Sequence, residues 1–153
     1  MSNTYTQIHI QCVMAVKFRR AQIQKTWNEQ LHKYITGIVQ NSGHKMLAIN
    51  SVPDHLHFFF GFRPSQSLSD LMQLVKGESS EWLNDNRICS SKFHWQTGYG
   101  AFSYSKSQIP IIVDYIQRQE EHHKKKTFLE EYKEILNEFG IEYDERYIFK
   151  PLE

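Results

Sequence analysis

Apolar residues recur along this chain with two different periods, and the switches between them mark out its elements. Tyr5 to Ala15 alternates loosely through Ile8, Ile10 and Val13, the two-residue period of a strand. Lys17-Phe-Arg-Arg20 ends that strand in positive charge. From Gln22 to Gln40 the residues Ile23, Trp27, Leu31, Tyr34, Ile35, Ile38 and Val39 follow a period of about 3.6, which predicts an amphipathic helix laid on a sheet. Asn41-Ser-Gly43 stops it. His44 to Val52 reads as a second strand, and Pro53-Asp54 turns it into a third, His55 to Phe60. So short a connection makes these two strands antiparallel neighbours.

Ser67-Leu-Ser-Asp70 has the hydroxyl and carboxylate of a helix start, and the stripe Leu68, Leu71, Met72, Val75 and Trp82 carries that helix to about Leu83. A polar loop follows, and Ala101 to Ser105 reads as a fourth strand. Ser107 is placed to cap a third helix, with Pro110 in its first turn and Ile109, Ile112, Val113 and Ile116 on one face. Thr127-Phe-Leu-Glu130 opens a tail helix through Phe128, Leu129, Tyr132, Ile135, Leu136 and Phe139, stopped at Gly140. The aromatics Tyr143, Tyr147 and Phe149 predict order in the last stretch. Two strand–helix–strand halves around an antiparallel centre predict an α+β fold: a ferredoxin-like, RRM-like antiparallel sheet with helices packed on it and a C-terminal helical extension. No linker or repeat interrupts it. The expectation is one domain over 1–153, with 127–153 as its acidic helical tail.

Composition changes this picture in two ways. A chain of 153 residues with 14% aromatics, 7 Gly and 4 Pro is globular and long enough for a proper core. The net charge of +1 conceals an asymmetry, because residues 1–126 hold 15 Lys and Arg against 9 Asp and Glu, while residues 127–153 hold 3 against 8. A basic body under an acidic tail suits an anionic partner. Cys12 and Cys89 lie in no metal-binding spacing, which together with the polar start predicts a reduced, cytoplasmic protein. No apolar run approaches a membrane span.

The candidate chemistry begins in the third strand. Alternation puts His55, His57 and Phe59 on one face and Leu56, Phe58 and Phe60 on the other. Two imidazoles on one face offer two ligands to a divalent cation, although such a pair also occurs as passengers. The third helix carries Tyr115, Gln119 and His122 along one edge by helical spacing. A phenol, with a pKa near 10, is a poor nucleophile at neutral pH. It becomes useful against a phosphodiester held by a divalent ion. On spacing alone Tyr115 reads equally as a core tyrosine with a wet hydroxyl.

Four segments carry a family resemblance. Val52-Pro-Asp-His-Leu-His57, Trp95-Gln-Thr-Gly-Tyr-Gly-Ala-Phe-Ser103, Tyr115-Ile-Gln-Arg-Gln-Glu-Glu-His-His123 and Gly140-Ile-Glu-Tyr-Asp-Glu-Arg-Tyr147 stand in the order and spacing of the small single-tyrosine insertion-sequence transposases. The chain resembles that group of the His-hydrophobic-His nuclease superfamily, which includes the REP-associated tyrosine transposases. The resemblance implies that Tyr115 attacks single-stranded DNA to leave a 5′-phosphotyrosine link. It implies that His55 and His57 hold Mg²⁺ or Mn²⁺, with Gln119 as third ligand; His122, three residues on along the same helix, is placed to compete for that role. It further implies binding of hairpin DNA ends, a homodimer that exchanges its Tyr helices in some members, no membrane and no small-molecule substrate. Charge adds Lys17, Arg19, Arg20, Arg63 and Lys76 as phosphate contacts. Trp95 and Tyr99 are placed either to stack on bases or to pack in the core. Two other readings stand beside this one: a hairpin-binding protein without cleavage activity, and an RNA-binding module. The sheet lacks the aromatic-basic signature of the latter.

Overall fold

The computed structural model describes residues 3–153; the first two residues of the polar start lie outside it. Strands β1 (His9–Ala15), β2 (Lys45–Val52), β3 (His55–Gly61) and β4 (Gly100–Tyr104) form an antiparallel sheet in the order β2-β3-β1-β4. Helix α1 (Asn28–Asn41) connects β1 to β2, and α2 (Leu68–Asp85) connects β3 to β4. This is the ferredoxin-like connectivity that the order of elements predicts. Beyond the sheet come α3 (Ile109–Gln117), α4 (Gln119–His122) and α5 (Phe128–Glu138). No helix among the described residues is long and apolar enough to cross a membrane.

Register fixes what each face carries. Ala15 pairs with His55, Val13 with His57 and Gln11 with Phe59, so these six side chains share one face. Cys12, Met14, Leu56, Phe58 and Phe60 share the other, where Leu31, Ile35 and Val39 of α1 and Leu71, Met72 and Val75 of α2 pack against them. On the first face α5 brings Phe128, Tyr132, Ile135 and Leu136 over Val13, Ala15 and Phe102, with Phe149 closing the edge. Ile112 and Ile116 of α3 sit over Ala48 and Phe59. Both central strands are thus covered on two sides, which is why β3 reads as a nearly continuous apolar run. Burial holds both thiols protonated: it pushes Cys89 up to about 11 and the fully buried Cys12 higher still.

Several boundaries depart from the periodicity, each for a physical reason. The first helix starts at Asn28 rather than Gln22. Ile23 and Trp27 are buried ahead of it, because the Ile23 amide bonds Pro53 O at 2.9 Å and ties the segment to the β2–β3 turn. Periodicity there reports burial and not helicity. Strand β1 starts at His9, leaving Tyr5 almost fully exposed. Ser107 does not cap the third helix: a short 3-10 turn, Lys106–Gln108, precedes it, and Ser105 caps that turn through a reciprocal box with Gln108. The third helix also breaks at Arg118. Asn50 of β2 donates to Ile116 O at 2.9 Å and Gln117 O at 3.2 Å, satisfying carbonyls that a continuing helix would use. Ser67 and Thr127 cap α2 and α5 as expected, accepting from Asp70 N and Glu130 N.

Candidate active site

β3 delivers His55 and His57, both fully buried, to the face under α3, α4 and α5. Their rings lie 5.0 Å apart between centroids. Neighbours fix each ring. His55 Nδ1 stands 2.7 Å from Asp54 Oδ1, so its N–H donates to the carboxylate and the Nε2 lone pair faces the site. His57 Nδ1 stands 2.8 Å from the Gln11 amide, whose oxygen in turn accepts from the Tyr104 hydroxyl at 3.0 Å. Turning that amide over exchanges donor for acceptor, so Gln11 serves either tautomer of His57.

The break at Arg118 makes Gln119 the first residue of α4 and turns it inward, where it is fully buried. Its Oε1 lies 3.1 Å from His55 Nε2, so the structure brings Gln119 to the pair. His122 takes another place: its ring stacks obliquely on Tyr115, 4.8 Å between centroids, and its buried Nε2 has no hydrogen-bond partner. His123 faces the pair instead, with its ring 4.5 Å from that of His55 and its Nε2 3.2 Å from Gln119 Oε1. Tyr115, half-buried on α3, sets its ring edge-on to His57 at 6.0 Å.

At the centre stands Glu131 of α5, a residue that the motif reading missed. Its Oε1 lies 3.5 Å from His55 Nε2, 3.2 Å from His57 Nε2 and 3.2 Å from His123 Nε2. Its Oε2 accepts from the Tyr115 hydroxyl and, at 3.3 Å, from Gln119 Nε2. One signal in the sequence marks it: Glu131 interrupts the buried stripe Phe128, Tyr132, Ile135 of an otherwise amphipathic helix. Asp54 and Gln11 carry weaker signals, one as a turn residue and the other as a polar residue on an inward strand position.

The electrostatics follow from burial and from Glu131. Burial would raise the Glu131 pKa, but the three imidazoles around it hold it far below the usual carboxylate range, and it stays ionised. Burial pushes His57 down to about 4. It also pulls on His55, where the Asp54 and Glu131 carboxylates outweigh it and raise the pKa. Burial, then the adjacent Glu131 charge, pushes the Tyr115 phenol well above its ordinary value.

The donor set fits a divalent ion. Two ligands about 2.1 Å from one ion stand roughly 3.0–3.4 Å apart at octahedral or tetrahedral angles. His55 Nε2 lies 3.1 Å from Gln119 Oε1 and 3.5 Å from Glu131 Oε1, and His57 Nε2 lies 3.2 Å from Glu131 Oε1. His55, His57 and Glu131 all lie within the reach of one ion.

The other expected contacts fall in different places. Arg19 and Arg20 are exposed and Lys17 half-buried, in the segment beyond the His55 end of β1. Arg63 is exposed at the opposite end, in a cleft of about 910 Å³ with Lys45 and His9. Lys76 is engaged internally: its ammonium donates to Gln96 O at 2.8 Å and Gly98 O at 2.7 Å, and burial lowers its pKa. Trp95 packs in the core with its N–H on Ser79 Oγ at 2.9 Å, while Tyr99 is partly exposed.

Comparison with known proteins bears on the fold and the family. No curated protein matches the chain. A crystal structure of a candidate transposase from Deinococcus radiodurans R1 is similar with a TM-score of 0.62 at 18% identity, over 78% of this chain and 95% of that one. A REP-associated tyrosine transposase bound to a REP hairpin is similar with a TM-score of 0.59 at 17% identity, over 80% of this chain and 73% of that one. Both likenesses are of fold. Residues 4–119 match the family described as "Transposase IS200 like", which spans both the His strand and the Tyr helix, and the chain belongs to that family.

Proposed function

We propose that this protein cleaves and rejoins single-stranded DNA at hairpin ends through a 5′-phosphotyrosine link to Tyr115, with a divalent ion, Mg²⁺ or Mn²⁺, held by His55, His57 and Gln119. The observation that carries this reading is convergence. The Tyr115 hydroxyl and the two imidazoles meet on one buried carboxylate, within a single chain. The phenol thus stands beside the candidate ion site, and the family supplies the reaction class.

Bound in the site, the ion would draw charge from the phosphoryl oxygens and make the phosphorus a better electrophile. The chain's own residues do the rest. Asp54 holds His55 with its Nε2 lone pair inward, and Gln11 fixes the plane of His57. Phe128, stacked on His55 at 4.0 Å, walls off water from that side. The phenol attacks phosphorus, the bond to the 3′ oxygen breaks, and the phosphotyrosine keeps the energy for rejoining. Lys17, Arg19, Arg20 and Arg63 supply phosphate contacts that position the strand. Hairpin recognition is supported by the relative whose structure holds a REP hairpin. A homodimer suits the family, and the Tyr115 ring standing edge-on to His57 of its own chain supports a site built within each protomer.

The test is direct. Single-stranded DNA from the gene's own flanks, incubated with the protein and Mn²⁺, yields a covalent protein–DNA band. Tyr115→Phe loses the band while keeping hairpin binding, and EDTA abolishes it. A band of undiminished intensity from Tyr115→Phe, or one that survives EDTA, refutes the reading.

A further inference from the structure

We propose that Glu131, supplied by the tail helix, is a catalytic residue of this transposase that couples the nucleophile to the metal site. The inference rests on the strand-transfer reading above and adds to it a group that neither the His motif nor the Tyr helix contains. Its basis is the division of labour between the two carboxylate oxygens. Oε1 stands at 3.2–3.5 Å from three imidazole Nε2 atoms, the spacing of a fellow ligand. Oε2 takes the Tyr115 hydroxyl. Gln119 also reaches both, with its Oε1 3.1 Å from His55 Nε2 and its side chain hydrogen-bonded to the Tyr115 phenol, but a neutral amide cannot take up the proton that the phenol releases.

The placement is built, not incidental. α5 is capped by Thr127, whose hydroxyl accepts from Glu130 N, one residue before the carboxylate. Tyr132, the next residue, lies so close to Gly100 of β4 that a Cβ there would fall 2.6 Å from its hydroxyl. The glycine therefore lets α5 seat down on the sheet, and Glu131 goes with it. Farther along, the Gln96 side-chain amide donates to Lys150 O and accepts from Lys150 N, and the Glu153 backbone donates to Lys17 O and accepts from Arg19 N. The tail, with 8 acidic residues against 3 basic over residues 127–153, is thereby tied down beyond α5 as well.

The step balances without any added reactant. Tyr115 Oη forms the bond to phosphorus as its proton passes to Glu131 Oε2. The phosphorus–O3′ bond breaks, and the same proton goes to the departing 3′ oxygen. The carboxylate ends as it began, and rejoining runs the same transfers backwards.

Glu131→Gln keeps the shape and loses the charge, and Glu131→Ala leaves a space into which formate fits. With the full-length protein and Mn²⁺, adduct formation slows at least about 100-fold in both variants. Formate restores Glu131→Ala at least tenfold and leaves Glu131→Gln unchanged, a response that loss of packing would not give. Calorimetry with Mn²⁺ alone shows binding at least tenfold weaker in Glu131→Gln. Adduct formation as fast as wild type or faster in either variant overturns the proposal, because the carboxylate would then only occupy the place of the scissile phosphate. Slow variants that formate does not rescue overturn it too, in favour of a packing role. Should wild type itself form no adduct, the strand-transfer reading falls instead. The carboxylate is then judged on Mn²⁺ alone, and equal affinity in wild type and Glu131→Gln removes it from the site.

Discussion

Under α1 and α2 the sheet buries Cys12, Met14, Leu56, Phe58 and Phe60, an almost wholly apolar set; under α3 to α5 it buries Gln11, His55, His57, Gln119 and Glu131 beside Val13, Ala15 and Phe59. The same two strands make both faces, one residue out of phase. A buried polar group costs stability unless it is partnered, and here the partners are one another: Asp54 to His55, Gln11 to His57, Glu131 to both rings and to Tyr115. The apolar face makes the fold stable enough to hold a network that contributes little on its own. The lesson is that each face answers to a different selection, for stability on one side and for chemistry on the other.

Adjacent residues of β3 separate the two most sharply. His57→Ala is expected to weaken Mn²⁺ binding at least about 100-fold and to stop adduct formation, at a folding cost of about 1–3 kcal/mol from the groups it leaves unpaired. Phe58→Ala, one position on, is expected to cost about 3–5 kcal/mol of stability while the remaining folded protein binds Mn²⁺ as before. Calorimetry and urea melts on the two variants read both quantities. If Phe58→Ala weakened Mn²⁺ binding as much as His57→Ala, the separation of faces would fail.

Buried polar residues give a finer comparison. Gln11→Leu frees the His57 ring and strands the Tyr104 hydroxyl, so Mn²⁺ affinity should drop about tenfold. Ser79→Ala, which strands the Trp95 N–H on the other side, should cost about 1 kcal/mol and leave Mn²⁺ binding alone. Reversed effects in a Mn²⁺ titration would assign the two residues the other way round.

The smallest effect is on acid stability of the metal-free protein. Burial pushes both His32, bonded to Ser51 Oγ on the α1 side, and His57 down to about 4. A folded-state pKa below the unfolded value means that the unfolded chain binds the proton first. The stability that these two neutral rings contribute is then complete above about pH 6.5 and falls as pH drops toward 4, whereas His55, whose pKa is raised, acts in the opposite sense. His32→Gln should flatten part of that decline with Mn²⁺ binding at neutral pH unchanged. A melting temperature as steep in this variant as in wild type would show that His32 carries none of it.

Much of this was legible in the residues alone. Alternation along His55 to Phe60 placed the two imidazoles on one face, and two hydroxyl caps placed α2 and α5. What escaped was decided between elements. The late start of α1 depends on a bond from Ile23 to Pro53. The break at Arg118 depends on Asn50, a strand residue more than sixty positions away. His123 replaces His122 at the pair because that break resets the helical phase. Glu131 looked like one more charge in an acidic tail, and only its seat among Phe128, Tyr132 and Ile135 set it apart.

The contact between Tyr115 and Glu131, beside His57 of the same polypeptide, has a consequence for mixing experiments. Where protomers lend each other the phenol, two crippled preparations, Tyr115→Phe and His57→Ala, repair one another and a quarter to a half of normal output returns. With phenol, carboxylate and imidazole drawn from one polypeptide, a blend of the two is expected to stay as inert as either alone, and recovered output would show that the phenol is lent across the pair.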